Sequence, residues 1–335
     1  MAGKSGRTIQ AVPQNSAKKM IFSWEGALVV LFIALNIFNM IISPSYNITN
    51  ILREMPKYLA EIFMLFGMAY ILVLGDIDIS VGSIVCLSAT LACVASNAGL
   101  PMVLVIAVCL LVGTACGFIN GIILTRFTEL PAMIVTLATQ IIFRGIAEIL
   151  LGSGGSVSLK DTSGFNALAM KIGPVPLVFF LVVIAAVIFT VILAKTTFGR
   201  KLYAIGSNST AAYYAGVKVQ KVRLIVFTVT GLLAGLCALF LTSALFGANT
   251  TTGQGFEMDV IAMAVFGGIA TTGGKGNLVG GIISAFIIVL LRIALGQINL
   301  NPQLILVIIG ALLIIAVLIP GINNAIQAKR KMKSA

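Results

Sequence analysis

The chain contains no histidine, and only 10% of its 335 residues are charged. A soluble globular domain carries about 25% charged residues, so the composition excludes an ordinary soluble protein. Histidine is the commonest metal ligand and the usual proton carrier near neutral pH. Its absence argues against a histidine-dependent hydrolase and against the most frequent kind of metal site.

Other marks of an enzyme are also missing. The acidic residues, ten in all, form no paired catalytic or metal-ligating pattern. The five cysteines stand singly within apolar segments, which predicts buried thiols rather than disulfides or a metal site. The glycine-rich stretch Thr271–Asn277 lacks the P-loop pattern G-x-x-x-x-G-K-[ST]. We therefore expect no enzymatic activity and no cofactor in this chain; ATP, if it is used, binds elsewhere.

Apolar residues are abundant instead. They make up 59% of the chain, and the mean hydropathy is +1.11. A membrane-spanning helix needs about 20 predominantly apolar residues, and ten candidate segments emerge. Their approximate ranges are 24–43, 59–75, 79–97, 101–124, 131–151, 174–194, 224–246, 257–272, 278–298 and 302–320. We predict an all-α polytopic membrane protein in which residues 23–320 form the transmembrane region.

Basic residues indicate the orientation. The chain carries 22 Lys and Arg residues, and loops rich in them face the cytoplasm. If segment 1–22 starts inside and the spans alternate, most basic residues fall on the cytoplasmic side, including those of the tail 321–335. The outer side receives only Arg53, Lys57, Lys160 and Lys171. This asymmetry predicts cytoplasmic termini, and it explains the net charge of +12 without a nucleic-acid partner.

The longest polar and basic interruption lies near the middle, within the loop 195–223. Residues 208–210 are of helix-capping types, an alanine-rich run follows, and a glycine is placed to end the helix. A helix of roughly two turns is marginal alone in water, so we expect a partner surface to hold it. The residues predicted to make this contact are Asn208, Ser209, Ala211, Ala212 and Gly216. The alternative is an ordinary basic loop between two spans.

Acidic residues occur at two span ends. In the stretch 75–83, Asp78 or Ser80 can cap the next helix, or the polar groups line a cavity, where irregular backbone is tolerated at membrane depth. Glu257 and Asp259 open the eighth predicted span. The residues predicted to line a pathway or form a hinge are Asp76, Asp78, Ser80, Asn120, Arg144, Glu257 and Asp259.

Two further patterns concern the fourth and fifth spans. Gly113, Gly117 and Gly121 form a stripe at helical spacing that favours close helix packing. Arg144 and Glu148 lie four residues apart, so they can neutralise each other on one helix face. An ionisable residue within a membrane span is also a functional candidate, and both interpretations of this pair stay open.

Several of these stretches together resemble one family, the permease subunits of ribose-type, monosaccharide-importing ABC transporters. The stretches span nearly the whole chain, from about residue 55 to 320. They are GDIDISVGS (75–83), CGFINGIIL (116–124), LPAMIVTLATQIIFRGIAEILLGSGG (130–155), FGRKLYAIGSNSTAAYYAGVKVQKVR (198–223), TGLLAGLCALF (230–240) and GQGFEMDVIAMAVFGGIATTGGKGNLVGG (253–281).

The resemblance implies the ABC importer permease fold in a bacterial cytoplasmic (inner) membrane, in contact with membrane lipid. It implies a pathway formed by two permease chains. Two cytoplasmic ATP-binding subunits, which carry ATP and Mg, would flank this pathway on the inside. A periplasmic or lipid-anchored binding protein would deliver the sugar. Segment Asn208–Gly216 would be the coupling helix, and transport would proceed by alternating access. The alternatives are a branched-chain amino-acid ABC permease and an ion-coupled secondary transporter, which would need no ATPase.

Overall fold

The structure is a computed structural model that describes residues 24–43, 46–298, 301, 304, 307–308 and 310–311. The predicted segments 1–22 and 321–335 lie outside the described residues. The same holds for most of the tenth predicted span, 302–320.

Helices dominate the described residues. In chain order they are α1 (Trp24–Ile42), α2 (Ile48–Glu54), α3 (Pro56–Leu74), α4 (Val81–Asn97), α5 (Met102–Arg126), α6 (Ala132–Leu151), α7 (Ser163–Leu168), α8 (Leu177–Lys195), α9 (Thr197–Ser207), α10 (Ser209–Tyr214), α11 (Val219–Leu245), α12 (Phe256–Phe266) and α13 (Leu278–Gln297). Four short strands accompany them: β1 (Ser156–Ser158), β2 (Lys171–Ile172), β3 (Val175–Pro176) and β4 (Gly247–Asn249).

Six helices in the described part of the chain are long and apolar enough to cross a membrane. They are α3, α5, α6, α8, α11 and α13. Helix α4 and most of α1 are apolar but shorter. The first seven predicted spans and the ninth coincide with helices whose ends lie within a few residues of the predicted ends.

The eighth predicted span, 257–272, is wrong in length. Helix α12 has 11 residues, so at 1.5 Å per residue it is roughly 16 Å long, about half of what a bilayer core requires. Gly268 adopts a φ of +90°. Its N–H donates to the carbonyl of Val265, and the next N–H donates to Ala264, which is the Schellman ending of a helix. Irregular backbone therefore occupies residues 267–277.

The core is built around α3 and α11. Every residue of α3 from Leu59 to Leu74 is buried, and α11 packs along both α3 and α5. The glycine stripe predicted on α5 lies at the contact with α11. A Cβ added at Gly113 or Gly117 would collide with the backbone of Gly231, so the small residues allow the two helices to approach closely.

The two ends of α11 carry different structures. Strand β4 follows the last turn of α11 and pairs antiparallel with β1, with Ser156 opposite Asn249. This pairing joins the long 152–173 loop to the turn that leads into α12. Helices α9 and α10 precede the other end of α11. The bundle thus has a stranded end and an end that carries α9 and α10.

Candidate functional site

Helix α10 is a short helix with defined caps at both ends. The side-chain Oδ1 of Asn208 accepts a hydrogen bond from the N–H of Ala211 at 2.9 Å. Gly216 has a φ of +83°, and the N–H of Val217 donates to Ala212 O, which closes the helix as a glycine C-cap does. A capped helix ending at Gly216 is what the sequence pattern predicts here.

The exposed face of α10 differs from the expected one. Ala212 is only 5% exposed and belongs to the hydrophobic core, so it faces this chain and cannot touch a partner in this arrangement. Tyr213 is 63% exposed and Tyr214 is 84% exposed. Their rings meet edge to face, with centroids 5.8 Å apart. Two adjacent tyrosines in a polar loop are a signal that the sequence offers, but the predicted contact residues included the alanines and not the tyrosines.

Helix α9 joins α10 to the irregular segments of the bundle. The backbone of Gly206 lies so close to Val73 and Gly274 that a Cβ would collide with both. The N–H of Gly274 donates to Val73 O at 2.9 Å, and the hydroxyl of Tyr203 donates to Gly276 O at 2.8 Å. Helix α9 therefore contacts both the end of α3 and the 267–277 segment.

Asp76 forms an ion pair with Arg223. Both carboxylate oxygens are 2.6 Å from guanidinium nitrogens, Nε and Nη2, and Nη1 donates to Leu124 O at 3.3 Å. Bidentate pairs of this kind are strong and orientation-specific. The pair connects the turn after α3 to the first turn of α11 and the end of α5.

A buried polar cluster lies just beyond this pair, at the start of α4. Asp78 Oδ1 accepts from the N–H of Ser80 at 2.8 Å and from its hydroxyl at 2.6 Å. The Nδ2 of Asn120 donates to the same hydroxyl at 2.8 Å. All three residues are fully buried. Asp78 Oδ2 and Asn120 Oδ1 have no hydrogen-bond partner among the described residues, which is costly for buried acceptors.

Ser80 is the N-cap residue of α4, but no side chain makes a capping hydrogen bond there. Asp78 instead binds the N–H two residues on, as aspartate does in local turns. The capping interpretation of this stretch is therefore wrong in detail: the carboxylate orders the turn rather than the first turn of the helix.

Arg144 binds a turn far away in sequence. Its Nη1 donates to the carbonyls of Thr250 at 3.0 Å and Thr252 at 2.7 Å, and no Arg144–Glu148 ion pair occurs among the described residues. The turn continues to Gly253, whose carbonyl contacts Gly82. The mutual pair considered from sequence is thus replaced by a contact between α6 and the turn before α12.

Glu257 also lies against α4. A Cβ added at Gly82 would collide with Glu257 Oε2, and this oxygen is buried with no hydrogen-bond partner among the residues described. Glu257 and Asp259, although two residues apart, have different surroundings. Asp259 points to another cluster.

That cluster consists of Glu61, Asp259 and Arg292, which are 2%, 8% and 9% exposed. Arg292 Nη2 lies 2.6 Å from Asp259 Oδ1, and Nη1 lies 3.3 Å from Glu61 Oε1. The cluster joins α3, α12 and α13. Sequence reasoning found Asp259, but it missed Glu61 and Arg292. Glu61 lies 198 residues from Asp259 and 231 residues from Arg292, and contacts over such distances follow no local pattern.

In the described part of the chain, no three or more His, Cys, Asp or Glu side chains lie close enough together to hold a metal ion.

Comparison with known proteins identifies the family. A sequence model of the branched-chain amino acid transport system / permease component family matches residues 57–317. This match covers well over half of the chain. The chain belongs to this family.

Individual relatives of this permease are named as importer components. It is 36% identical over 301 residues to the ribose import permease protein RbsC of Bacillus subtilis, covering 89% of this chain and 92% of that one. It is 32% identical over 321 residues to the D-allose transport system permease protein AlsC of Escherichia coli, covering 93% and 97%. It is 31% identical over 304 residues to the autoinducer 2 import system permease protein LsrD of Photorhabdus temperata, covering 88% and 90%. No solved structure matches.

These relatives confirm the resemblance to ribose-type importer permeases inferred from the motifs. Together with the six apolar helices, family membership makes the permease a multi-pass membrane protein. The predicted site residues fall into separate groups within it. Asp78, Ser80 and Asn120 are brought together, whereas Asp76, Arg144 and Asp259 each belong to a different contact.

Proposed function

We propose that this permease is the translocation subunit of an ATP-driven importer of a monosaccharide or a furanose-like molecule. The support is the similarity to permeases named for ribose, D-allose and autoinducer 2 import. The family description names branched-chain amino acids, but these three relatives are named for the import of ribose, D-allose and autoinducer 2. In this proposal both termini are cytoplasmic, and the chain hydrolyses no ATP itself.

The observation that carries the ATP-driven mechanism is α10. Six residues form a helix that is capped at both ends and carries two exposed tyrosines. A helix this short is stable only when other groups hold it. We infer that Asn208 and Gly216 fix its shape, Ser209, Ala211 and the tyrosines contact a cytoplasmic ATP-binding subunit that carries ATP and Mg, and Ala212 anchors the helix to its own chain.

The proposed pathway lies at the first turn of α4. Three buried acceptor oxygens lack partners among the described residues: Asp78 Oδ2, Asn120 Oδ1 and Glu257 Oε2. Sugar hydroxyls are hydrogen-bond donors, so such acceptors can bind them transiently once the site opens. A second permease chain would complete the pathway, and a binding protein would deliver the sugar at the stranded end.

Affinity purification of the tagged permease from its native membrane tests the proposal. We expect a soluble ATP-binding subunit in stoichiometric amount, and we expect the Tyr213→Ala/Tyr214→Ala variant to lose it while remaining inserted in the membrane. Lys160→Gln, on the loop of the stranded end, is the matched control and retains the subunit.

Two outcomes would contradict the proposal. Transport by the purified chain alone in proteoliposomes without ATP would indicate an ion-coupled secondary transporter. Uptake by the intact system that leucine inhibits and ribose, allose and autoinducer 2 do not would indicate the branched-chain amino-acid branch.

A further inference from the structure

Helix α10 stands between two attachment points, one at the end of α3 and one in the turn that follows α3. This turn, Gly75–Ser80, follows α3 and leads into α4. One attachment precedes α10 in sequence and the other follows it. A displacement of α10 therefore acts both on the end of α3 and on the turn.

The attachment before α10 is a backbone contact. Gly206 lies on the last turn of α9, directly against Val73 O and Gly274 N, and a Cβ there would collide with both. The hydrogen bond from Gly274 N to Val73 O joins the two surfaces that Gly206 touches. A side chain at position 206 would not fit between them.

The attachment after α10 is the Asp76–Arg223 ion pair. Arg223 lies in the first turns of α11, seven residues beyond the glycine that ends α10. Its guanidinium binds both oxygens of Asp76 at 2.6 Å. The two side chains are 18% and 16% exposed, so the pair is accessible enough to rearrange without burying an unpaired charge.

The turn ends at the buried polar cluster. Two residues after Asp76, the carboxylate of Asp78 accepts a hydrogen bond from the hydroxyl of Ser80. This hydroxyl in turn accepts a hydrogen bond from Asn120 of α5. Only Ile77 separates Asp76 from Asp78, so a shift of Asp76 moves a backbone that leads directly into the cluster.

We propose that the Asp76–Arg223 pair is the element that transmits movement of α10 to the Asp78–Ser80–Asn120 cluster. Asp76 and Arg223 are positioning residues, and neither needs to touch the sugar. The inference rests on the proposed function, because it requires an ATP-binding subunit docked on α10. A purely structural pair would stabilise the fold and leave the ratio of transport to ATP hydrolysis unchanged.

The test uses the complex purified with its ATP-binding subunit and reconstituted in vesicles with the binding protein. ATP hydrolysis and sugar uptake are measured in the same sample. Asp76→Asn keeps the shape of the side chain and removes its charge. Arg223→Lys keeps the charge and removes the bidentate geometry. Lys221→Gln, an exposed basic residue of the same helix, is the control.

We expect Asp76→Asn to retain the ATP-binding subunit and to hydrolyse ATP, while uptake per ATP falls by about tenfold, within the usual range of coupling between sites. Arg223→Lys should show a smaller fall in the same ratio, and the control should show none. If Asp76→Asn does not fold, Arg223→Lys alone decides the matter.

An unchanged uptake per ATP in the folded variants would overturn the inference. So would a parallel loss of uptake and hydrolysis in proportion to folded protein. Failure of the proposed function appears separately, because the wild-type permease would then co-purify with no ATP-binding subunit.

Discussion

The two ends of α3 carry arginine–carboxylate contacts of different design. Near its start, Arg292 binds two carboxylates, Glu61 and Asp259, and the side chains of the three residues are 11%, 3% and 11% exposed. Just beyond its last residue, Arg223 serves the single carboxylate of Asp76 in a partly exposed bidentate pair. Burial of charges without full compensation is expensive, whereas an accessible pair can exchange partners with water. The cluster around Arg292 is therefore suited to holding helices in place, and the Asp76–Arg223 pair is suited to a contact that rearranges during transport.

The two contacts also connect α3 to different parts of the bundle. The buried cluster ties α12 and α13 to α3 at a point where α12 is too short to span a bilayer. The partly exposed pair ties the turn after α3 to the segment that follows α10. We therefore expect stability to depend on the first contact, and transport to depend on the second.

The largest effect is expected from Arg292→Met. This change leaves two carboxylates without their cation in a buried site, and breaking such a contact costs about 3–5 kcal/mol. We expect little monodisperse protein in detergent and a strongly lowered melting temperature. Arg53→Ala is the control, because Arg53 is an arginine whose side chain is 67% exposed. A melting temperature equal to that of the control would show that the buried cluster does not fix the helices.

A smaller effect should distinguish the two acids of the cluster. Asp259 lies 2.6 Å from Arg292 and Glu61 lies 3.3 Å away, so Asp259 is the tighter partner. We expect Asp259→Asn to lower the free energy of unfolding by roughly 2–3 kcal/mol and Glu61→Gln by about 1 kcal/mol or less. Each neutral amide is nearly the same size as the acid it replaces. Thermal unfolding of both variants in the same detergent measures the difference, and equal losses would contradict the assignment.

The smallest effect is expected at an exposed pair at the junction of α2 and α3. Lys57 Nζ lies 2.6 Å from Glu54 Oε2, and this hydrogen bond holds the pKa of Glu54 below its usual value. A lowered pKa in the folded state stabilises the protein above the unfolded pKa, and the benefit is lost as the pH falls through the folded pKa. Lys57→Gln should therefore cost less than about 1 kcal/mol at neutral pH.

At a pH where Glu54 is protonated, Lys57→Gln and the unchanged protein should unfold at the same temperature. A difference that persists at low pH would mean that Lys57 contributes through packing rather than through charge. A large loss of stability at neutral pH would contradict the expectation that exposed ion pairs contribute less to stability than buried ones.

The local features of this fold could be predicted from sequence. The apolar runs mark most helix boundaries, because about 20 apolar residues are what a spanning helix requires. The Asn208 cap and the Gly216 ending of α10 depend on residues only a few positions apart. Features that depend on residues this close in sequence can be recognised from the sequence alone.

Contacts between distant residues could not be predicted. Arg144 has an acid four positions away, yet it binds carbonyls 106 and 108 positions away. Asp76 finds Arg223 across 147 positions. The end of α12 was missed for another reason: Ile269 and Ala270, directly after Gly268, are still apolar, so hydropathy hides a helix end that depends on the backbone conformation of one glycine.

The most direct test of the account is to place a single reactive thiol on α10. All five native cysteines are buried, whereas Tyr214 is 84% exposed, so Tyr214→Cys supplies an accessible thiol. Cross-linking in native membranes, followed by mass spectrometry, identifies what lies against α10. We expect a cross-link to a cytoplasmic ATP-binding subunit and no labelling by a membrane-impermeant thiol reagent applied outside the cell. Labelling from outside, or a cross-link only to proteins without an ATP-binding site, would contradict this expectation.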